Sequence, residues 1–388
     1  MTSPHFAWLP DHHVGVVATL AHADDLIAQA AGLLFDYQTQ PGGIIVLDEV
    51  PMVTFSQTVV VGTAPIPRKV PLLVADALVT LRNALEHTLF AEIEHRDGKL
   101  EDRSAQRVEM PAARTYDDFQ QWVKGRGRSA PASLQRGSEL LRRIDGLQPF
   151  HRAKDPQDHP MALLAAHTNH SKHRAPAITA VRLAAMHRED QPLRSLREVE
   201  SRPEAPLQVG EVIAETPRGT QVPVALFPAI GINRPGTDRW PVLIKELGYL
   251  ANWVRTQAIP RLITGSEPPQ QPLPARYEIS IGHDDDRLAL LTGTQKTAAQ
   301  HHSERLQAAS VRVDMAETLS QMEDAPGTEQ IDAWLESLPD DEVLARMSQL
   351  KLTFNYEPDI VLSNLAVLES MRDDAVRFGS ADAPLDAP

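Results

Sequence analysis

Three polar residues on one predicted helix have side chains that together suit the cleavage of a phosphodiester bond. The segment RNALEH places Arg82, Asn83 and His87 within about one and a half helical turns. A histidine that titrates near neutral pH can take the proton of a ribose 2′-hydroxyl, and a guanidinium can hold the charge on the phosphate oxygens. His87 is therefore the candidate base or orienting group, Arg82 the phosphate clamp and Asn83 the positioning residue. This chemistry needs no metal and no cofactor.

The same helix also allows a structural interpretation of these residues. Glu86 follows Arg82 by four positions, and an ion pair at that spacing stabilises a helix by about 0.2–0.5 kcal/mol. On this interpretation His87 is a surface or interhelix histidine without a chemical role. Both interpretations are open at the level of the sequence.

A second concentration of polar residues, HTNHSKHR, lies near the end of another predicted helix. Cations and amide groups of this kind can bind a phosphate or a carboxylate. They could also dock near the first motif and support it. The candidate substrate- or anion-binding residues are Asn169, Lys172, His173 and Arg174.

Two alternatives apply to the same cluster. Cations near a helix C-terminus are favoured by the helix dipole, so the cluster can simply stabilise a helix end. Alternatively, its histidines can hold a metal together with one residue of the segment AHADD, although their spacing spreads them around a helix. The residues of that metal hypothesis are His167, His170 and His173, with His22 or Asp24.

Helical periodicity and turn signals organise the first 175 residues into a mainly helical domain. Apolar residues recur at helical spacing over 13–38 and again over about 71–94, where they form one face of an amphipathic helix. Two short β-branched segments, GIIVLDEV and FSQTVVVGT, lie between these helices and predict a strand pair. Further helices are expected at about 133–146 and 159–171, with YDDFQQWV as a short one. Residues 1–175 are thus predicted to be a helical bundle with a β excursion.

Strand-like segments dominate the next part of the chain. APAITAVRLAAM, LQVGEVIAET and TQVPVALFPAIGIN are followed by a predicted helix at 238–262, for which Asp238 is a plausible N-cap. Residues 176–263 are therefore expected to form a small β-sheet with a covering helix. The proline-rich residues 264–274 are expected to be a linker.

The remaining residues, 275–388, are expected to be an acidic α+β segment. RYEISIGH and RLALLTG predict a hairpin, SVRVDM and LKLTFNY two further strands, and three helices follow at about 328–337, 340–349 and 358–377. The fold class predicted for the whole chain is α+β.

Composition and charge exclude several classes of protein. The chain has no cysteine, so disulfides, thiolate metal sites and cysteine nucleophiles are excluded. No apolar segment is long enough to span a membrane and no signal peptide is visible, so a cytoplasmic location is expected. Of the net charge of −14, −13 belongs to Asp314–Pro388. The nearly neutral remainder is therefore compatible with binding RNA.

The RNALEH segment resembles the signature of the HEPN superfamily, in which an arginine, a polar residue and a histidine follow one another at this spacing. The resemblance implies a helical bundle and a metal-independent endoribonuclease of a defence or stress system, for example against phage. It also implies a homodimer, because two protomers of that superfamily bring their motifs into one cleft. The alternative is a non-enzymatic binding or assembly protein of bacterial or phage origin, in which the same residues hold helices together.

A second resemblance covers more of the chain. ALVTLRNALEH, LQPF and NHSKHR, in this order, are similar to the LRxALDH, QPY and NxxKHR motifs of an uncharacterised bacterial and phage family. The similarity extends over roughly residues 10–262, and Glu86 and Phe150 stand where Asp and Tyr are common. It supports the boundaries of the fold and implies no particular chemistry.

Overall fold

The computed structural model confirms the mixed α+β class, with helices predominating over two small antiparallel sheets. The structure describes residues 6–126, 130–188, 190–191, 199–220, 222–265, 267–353 and 355–381. Its helices are α1 (Val14–Gln38), α2 (Lys69–Asp97), α3 (Asp102–Ala105), α4 (Tyr116–Arg126), α5 (Glu139–Asp145), α6 (Pro160–His173), α7 (Leu243–Trp253), α8 (Ile259–Thr264), α9 (Asp286–Leu291), α10 (Ala298–Ser320), α11 (Thr328–Ser337), α12 (Asp340–Met347) and α13 (Pro358–Ala381). Its strands are β1 (Ile45–Pro51), β2 (Phe55–Thr63), β3 (Thr179–Arg188), β4 (Glu200–Ser201), β5 (Val212–Pro217) and β6 (Val224–Ile232).

The long helices α1 and α2 pack against one another at the centre of the main core. On α2, Leu78, Leu81, Leu85 and Leu89 are fully buried, as their helical spacing predicts. At 1.5 Å per residue, the 29 residues of α2 span about 43 Å, so polar groups along it lie in different surroundings. Helices α6, α7 and α8 pack on the same helix pair and complete the bundle.

The strands form two three-stranded sheets that share a small core. The predicted hairpin of β1 and β2 is present between α1 and α2, and β5 pairs with β2, giving the order β1-β2-β5. The second sheet has the order β4-β3-β6. Buried side chains from both sheets meet in one cluster, which consists of Val60, Leu183, Met186, Ile213 and Ala214.

The helix predicted at 238–262 begins later than expected and is divided. Residues before it are extended, because the Ile232 amide of β6 donates to the Pro241 carbonyl and Val242 forms a bridge with Gly231. The helix therefore starts at Leu243 with Val242 as the preceding residue, and Asp238 is not its N-cap. A π-helical turn, Val254–Ala258, separates α7 from α8. This turn accommodates Pro260, which lacks the amide that a continuous α-helix would use.

The C-terminal segment is helical, and the strands expected within it are wrong. SVRVDM lies inside α10, because Ala308, Val311, Met315 and Leu319 recur at helical spacing and are buried together. RLALLTG forms α9, where the Asp285 carboxylate accepts from two amides of the first turn. No described residue of LKLTFNY lies in a strand. The helices expected at 328–337, 340–349 and 358–377 are present as α11, α12 and α13.

The helices pack around two apolar cores, and the boundary between these cores falls within α10. Leu273, Tyr277, Leu290 and Ala298 belong to the main core around α1 and α2. The second core begins at Ala308 and is formed by the rest of α10 with α11, α12 and α13. The change from one core to the other therefore falls about 30 residues beyond the proline-rich segment 264–274. None of the described helices is both long enough and apolar enough to cross a bilayer.

Candidate anion-binding site

Arg82 is a buried residue whose guanidinium already has partners on several sides. Only 7% of its surface is exposed. Its Nη2 lies 2.6 Å from Oε1 of Glu86 and also donates to the Met110 carbonyl, while Nη1 lies 3.5 Å from the Met161 sulfur. The Met110 amide in turn donates to Oε2 of Glu86 at 2.8 Å. The predicted Arg82–Glu86 ion pair is thus present, and it fastens the segment around Met110 to α2.

The pKa of Glu86 depends on these contacts and on its burial. Burial raises the pKa of the Glu86 carboxyl, while the Arg82 charge and the Met110 amide counteract the rise. Because Arg82 balances this carboxylate, its charge is largely neutralised within the fold. Arg82 therefore acts as a structural cation in the conformation described.

Asn83 and His87 lie on a different side of α2. Each residue advances the helix by about 100°, so His87 is rotated by about 140° from Arg82. Asn83 is half-buried and His87 is exposed, and neither lines a cavity with Arg82. Within one protomer the structure therefore does not place the three residues of the first motif around a common space.

A cleft of about 650 Å³ opens beside Arg82 and Glu86, between α2, α6 and the segment that precedes α4. Asn169 and Lys172 of the second motif lie on its α6 side. Arg114 and Asp118 at the start of α4 also line it. The cleft thus brings Arg82 together with half of the second motif. Its complete lining is Arg82, Glu86, Gln106, Val108, Glu109, Met110, Pro111, Ala112, Ala113, Arg114, Asp118, Trp122, Ala162, Ala165, Ala166, Thr168, Asn169 and Lys172.

The rest of the second motif faces a neighbouring groove on the other flank of α6. This groove, of about 350 Å³, is lined by Asn169, His170, His173 and Arg174 together with Ala166, Pro235 and Gly236. No acidic residue is among the described residues that line it. Asn169 borders both cavities, so the last turns of α6 form a ridge between them. We call Asn169, His170, Lys172, His173 and Arg174 the α6 ridge.

Among the described residues, no carboxylate partners the basic side chains of the α6 ridge. Lys172, His173 and Arg174 are exposed, and no described acidic oxygen lies within 4 Å of them. Nε2 of His170 has no hydrogen-bond partner within the described part of the chain. The end of α6 is closed by backbone groups instead, since the amides of Arg174 and Ala175 donate to the His170 carbonyl. The side chains are therefore available to a ligand.

Contacts of His159 fix the N-terminal end of α6. Nδ1 of His159 accepts from the Met161 amide as an N-cap, and the His159 ring packs edge-on against Trp253. Burial, followed by the charge of Arg152, lowers the pKa of His159 to about 4, so the ring is neutral at pH 7. The ridge is consequently carried by a helix whose start is fixed in the core.

A network of buried charges also anchors α6. His167 lies 3.8 Å from Glu246 of α7, and Arg234 makes two bonds of 2.8 Å to the same carboxylate and a third, of 3.0 Å, to Asp158. Burial alone would raise the pKa of Glu246, but the nearby His167 ring and the hydrogen bonds and charge of Arg234 outweigh it and keep the pKa below its ordinary value. Glu246 is therefore ionised and holds α6 against α7.

These contacts do not favour the metal hypothesis for the second cluster. His167 faces Glu246, whereas His170 and His173 face the groove, and the described residues do not bring their ring nitrogens together. Asp24 accepts instead from Arg276 and from the first amide of α10. The structure thus keeps the anion-binding and helix-end interpretations of this cluster.

Several residues of the cleft were absent from the sequence-based candidates. Arg114 and Gln106 reach it from irregular parts of the segment between α2 and α5, where no periodic pattern indicates a direction, and Trp122 reaches it from α4. This segment is placed by contacts with distant residues, such as the bond of the Ala113 amide to the side chain of Gln148, 35 positions away. Such a long-range contact has no local signal.

Comparison with protein-family models, with curated proteins and with solved structures finds no match to this chain. The geometry of the site is therefore the basis for a functional proposal.

Proposed function

We propose that this protein binds RNA through the α6 ridge, with the two cavities on either side receiving successive parts of the strand. The observation that carries the proposal is the groove of Asn169, His170, His173 and Arg174, which has cations and amide groups but no described acid. Phosphate oxygens are bound in proteins by side chains of these types. Lys172 and Arg174 have no ion pair with any described residue, so binding breaks none of the described ion pairs.

The shape of the site favours a polymer over an isolated phosphate. Lys172 lies in the last turn of α6, a helix that is roughly 10 Å wide, and Arg174 follows directly after the helix ends. One of them faces the cleft and the other the groove. A single phosphate cannot contact both flanks, whereas a chain of phosphates passing over the ridge can.

The cleft offers groups that suit the remainder of a nucleotide. Trp122 lines it and stacks on Phe119 with the two rings 13° from parallel, which fixes the indole. A fixed aromatic ring can support a base by stacking. Arg114 adds an exposed cation, while Glu109 and Asp118 oppose close approach of a phosphate on their side. Phosphates are therefore expected at the ridge and the groove, and a base in the cleft.

A ribonuclease of the HEPN type is the second candidate. It is favoured by the exposure of His87 next to Asn83 on a strip of α2 that is open to solvent. Because Arg82 is buried and paired, its guanidinium is not free to hold a phosphate at His87 within one protomer. This candidate therefore depends on a homodimer in which a second copy completes the site. A role in defence against phage is implied only by the resemblance of RNALEH to the HEPN signature.

The binding proposal is tested by fluorescence anisotropy with a 5′-labelled RNA of mixed sequence, in EDTA at 0.1 M salt. The Lys172→Ala/Arg174→Ala protein should bind at least about tenfold more weakly than the wild type, since it lacks two phosphate contacts. Lys245→Ala, which removes an exposed lysine of α7, is the matched control and should bind as the wild type does. Equal affinities of all three proteins, or no binding by the wild type, would overturn the proposal.

The same samples distinguish binding from cleavage. The RNA is analysed by gel after incubation of the wild type and His87→Ala in EDTA. Cleavage by the wild type that His87→Ala abolishes would establish the ribonuclease. RNA that stays intact with both proteins leaves a binding protein alone.

A further inference from the structure

A second cluster of chemically capable side chains lies at the start of α1, away from the α6 ridge. His12 and His13 belong to the 3-10 turn Asp11–His13, which precedes α1 and packs against the C-terminal half of α2. Glu92 of α2 lies beneath them. Nε2 of His13 lies 2.8 Å and Nε2 of His12 3.7 Å from the same oxygen, Oε1 of Glu92. Glu92 is ten residues, about 15 Å along the helix, from Arg82.

The spacing of these atoms is that of a metal coordination sphere. One nitrogen from each histidine and one oxygen of Glu92 all lie within 4.8 Å of one another. Zinc binds nitrogen and carboxylate oxygen at about 2.0–2.2 Å, so neighbouring ligand atoms of a tetrahedral site are about 3.4 Å apart. The two distances to Glu92, 2.8 Å and 3.7 Å, lie on either side of that value.

The inner part of the cluster is buried. His13 is fully buried and Glu92 is 3% exposed. Nδ1 of His13 is buried and has no hydrogen-bond partner within the described residues. The cluster therefore combines two buried ligand groups with one, His12, that reaches the surface.

The surrounding shell positions the ligands. Arg96 donates to Oε2 of Glu92 at 3.0 Å and leaves Oε1 to face the histidines. His95 stacks on His12, with the ring centroids 4.2 Å apart and the rings 15° from parallel. Arg96 and Arg143 are positive, yet both also pair with Glu139, which reduces their repulsion of a cation. Outer contacts of this kind orient metal ligands in proteins.

We propose that His12, His13 and Glu92 form a binding site for one divalent transition-metal ion, best suited to Zn²⁺. Two imidazoles and one carboxylate are a set that zinc accepts, with a fourth position left for water or another ligand. That position is reachable, since 28% of the His12 side chain is exposed. The proposal differs from the sequence-based expectation of no metal, because His12 and His13 stand about 80 residues from Glu92 and share no motif with it.

Calorimetric titration of ZnCl₂ into the full-length, EDTA-treated and dialysed protein tests this site. The wild type should bind one equivalent of Zn²⁺ tightly. His12→Ala and Glu92→Gln should each weaken that event by about tenfold or more, since removal of a ligand costs at least as much as removal of an outer contact. His301→Ala, which removes an exposed histidine of α10, is the matched control and should bind as the wild type does.

Cobalt absorption supplies a second measurement that does not depend on stability. Co²⁺ in the wild type should give the visible bands of a four-coordinate ion, and these should be lost in His12→Ala, which shortens an exposed side chain. Circular dichroism of each variant checks that it is folded. Absence of a tight equivalent in the wild type, or the same affinity in His12→Ala and Glu92→Gln as in His301→Ala, would overturn the proposal.

Discussion

Arg82 and Lys172 line the same cleft but are in opposite physical states. Arg82 is buried, lies 2.6 Å from Glu86 and donates to the Met110 carbonyl, so its charge is used within the fold. Lys172 is exposed and has no carboxylate within 4 Å among the described residues. The two cations differ less in chemistry than in what the rest of the chain places beside them.

This contrast shows which basic residues can bind a ligand. A cation that holds a distant backbone segment, as Arg82 holds Met110, cannot leave its partners without cost to stability. A cation at the end of a well-anchored helix can exchange water for a phosphate at little structural cost. The ligand-binding role is therefore expected for the α6 ridge, and the structural role for Arg82.

Replacement of Arg82 should produce the largest effect on stability. Arg82→Ala leaves the partly buried Glu86 carboxylate without its partner and the Met110 carbonyl without a donor. The free energy of unfolding should fall by about 3–5 kcal/mol, which urea denaturation can measure. A normal stability combined with lost RNA binding would reverse the assignment of the two cations.

The stability of the protein should depend on pH through His159, the N-cap of α6. Burial lowers the pKa of His159 to about 4, below the value of about 6.5 in an unfolded chain. Between these values the unfolded state binds more protons, so stability is complete above about pH 6.5 and decreases as the pH falls towards 4. At pH 5 the loss should be about 1–2 kcal/mol, allowing for partial exposure.

His159→Asn provides the matched variant for this measurement. Asparagine preserves a favourable N-cap but does not titrate in this range. Thermal unfolding from pH 7 to pH 5 should therefore show a smaller decrease for His159→Asn than for the wild type. Parallel decreases in the two proteins would mean that His159 titrates as an exposed histidine does.

Replacement of the exposed cations of the α6 ridge should hardly change stability. Lys172→Ala and Arg174→Ala remove side chains without carboxylate partners, so each should alter the free energy of unfolding by at most about 0.5 kcal/mol. A loss above 1 kcal/mol in urea denaturation would show that these cations stabilise the end of α6, as the helix-end interpretation holds.

His87→Ala should have the smallest effect of all. The ring is exposed and has no hydrogen bond within the described part of the chain. Both the urea midpoint and the RNA affinity should be unchanged within error. A marked fall in either would give the open face of α2 a role that the contacts of a single protomer do not show.

Much of the fold could be predicted because its signals are local. The apolar faces of α1 and α2 and the β-branched runs of β2 and β6 match what periodicity indicates. The exceptions are segments where a longer pattern overrides a short one. SVRVDM has the valines of a strand, yet Val311 and Met315 belong to a buried stripe that runs the length of α10.

The site was less predictable than the fold. The spacing of Arg82 and Glu86 indicated their ion pair, but nothing near them indicated the Met110 carbonyl, 28 residues away, which completes the burial. Asn169 and Lys172 were found by their composition alone, and the separation of Lys172 in the cleft from His173 and Arg174 in the groove required the structure. Proximity of Glu92 to His13, 79 positions apart, had no local signal.

The salt dependence of RNA binding tests the central assignment most directly. The slope of the logarithm of the binding constant against the logarithm of salt concentration counts the phosphates that the protein neutralises. This slope is negative. Between 50 and 200 mM salt, its magnitude in Lys172→Ala/Arg174→Ala should be smaller than in the wild type by about 1 for each cation removed, whereas Lys245→Ala should keep the slope of the wild type. A slope that is the same in all three proteins would contradict the account, since the α6 ridge would then make no contact with the phosphates.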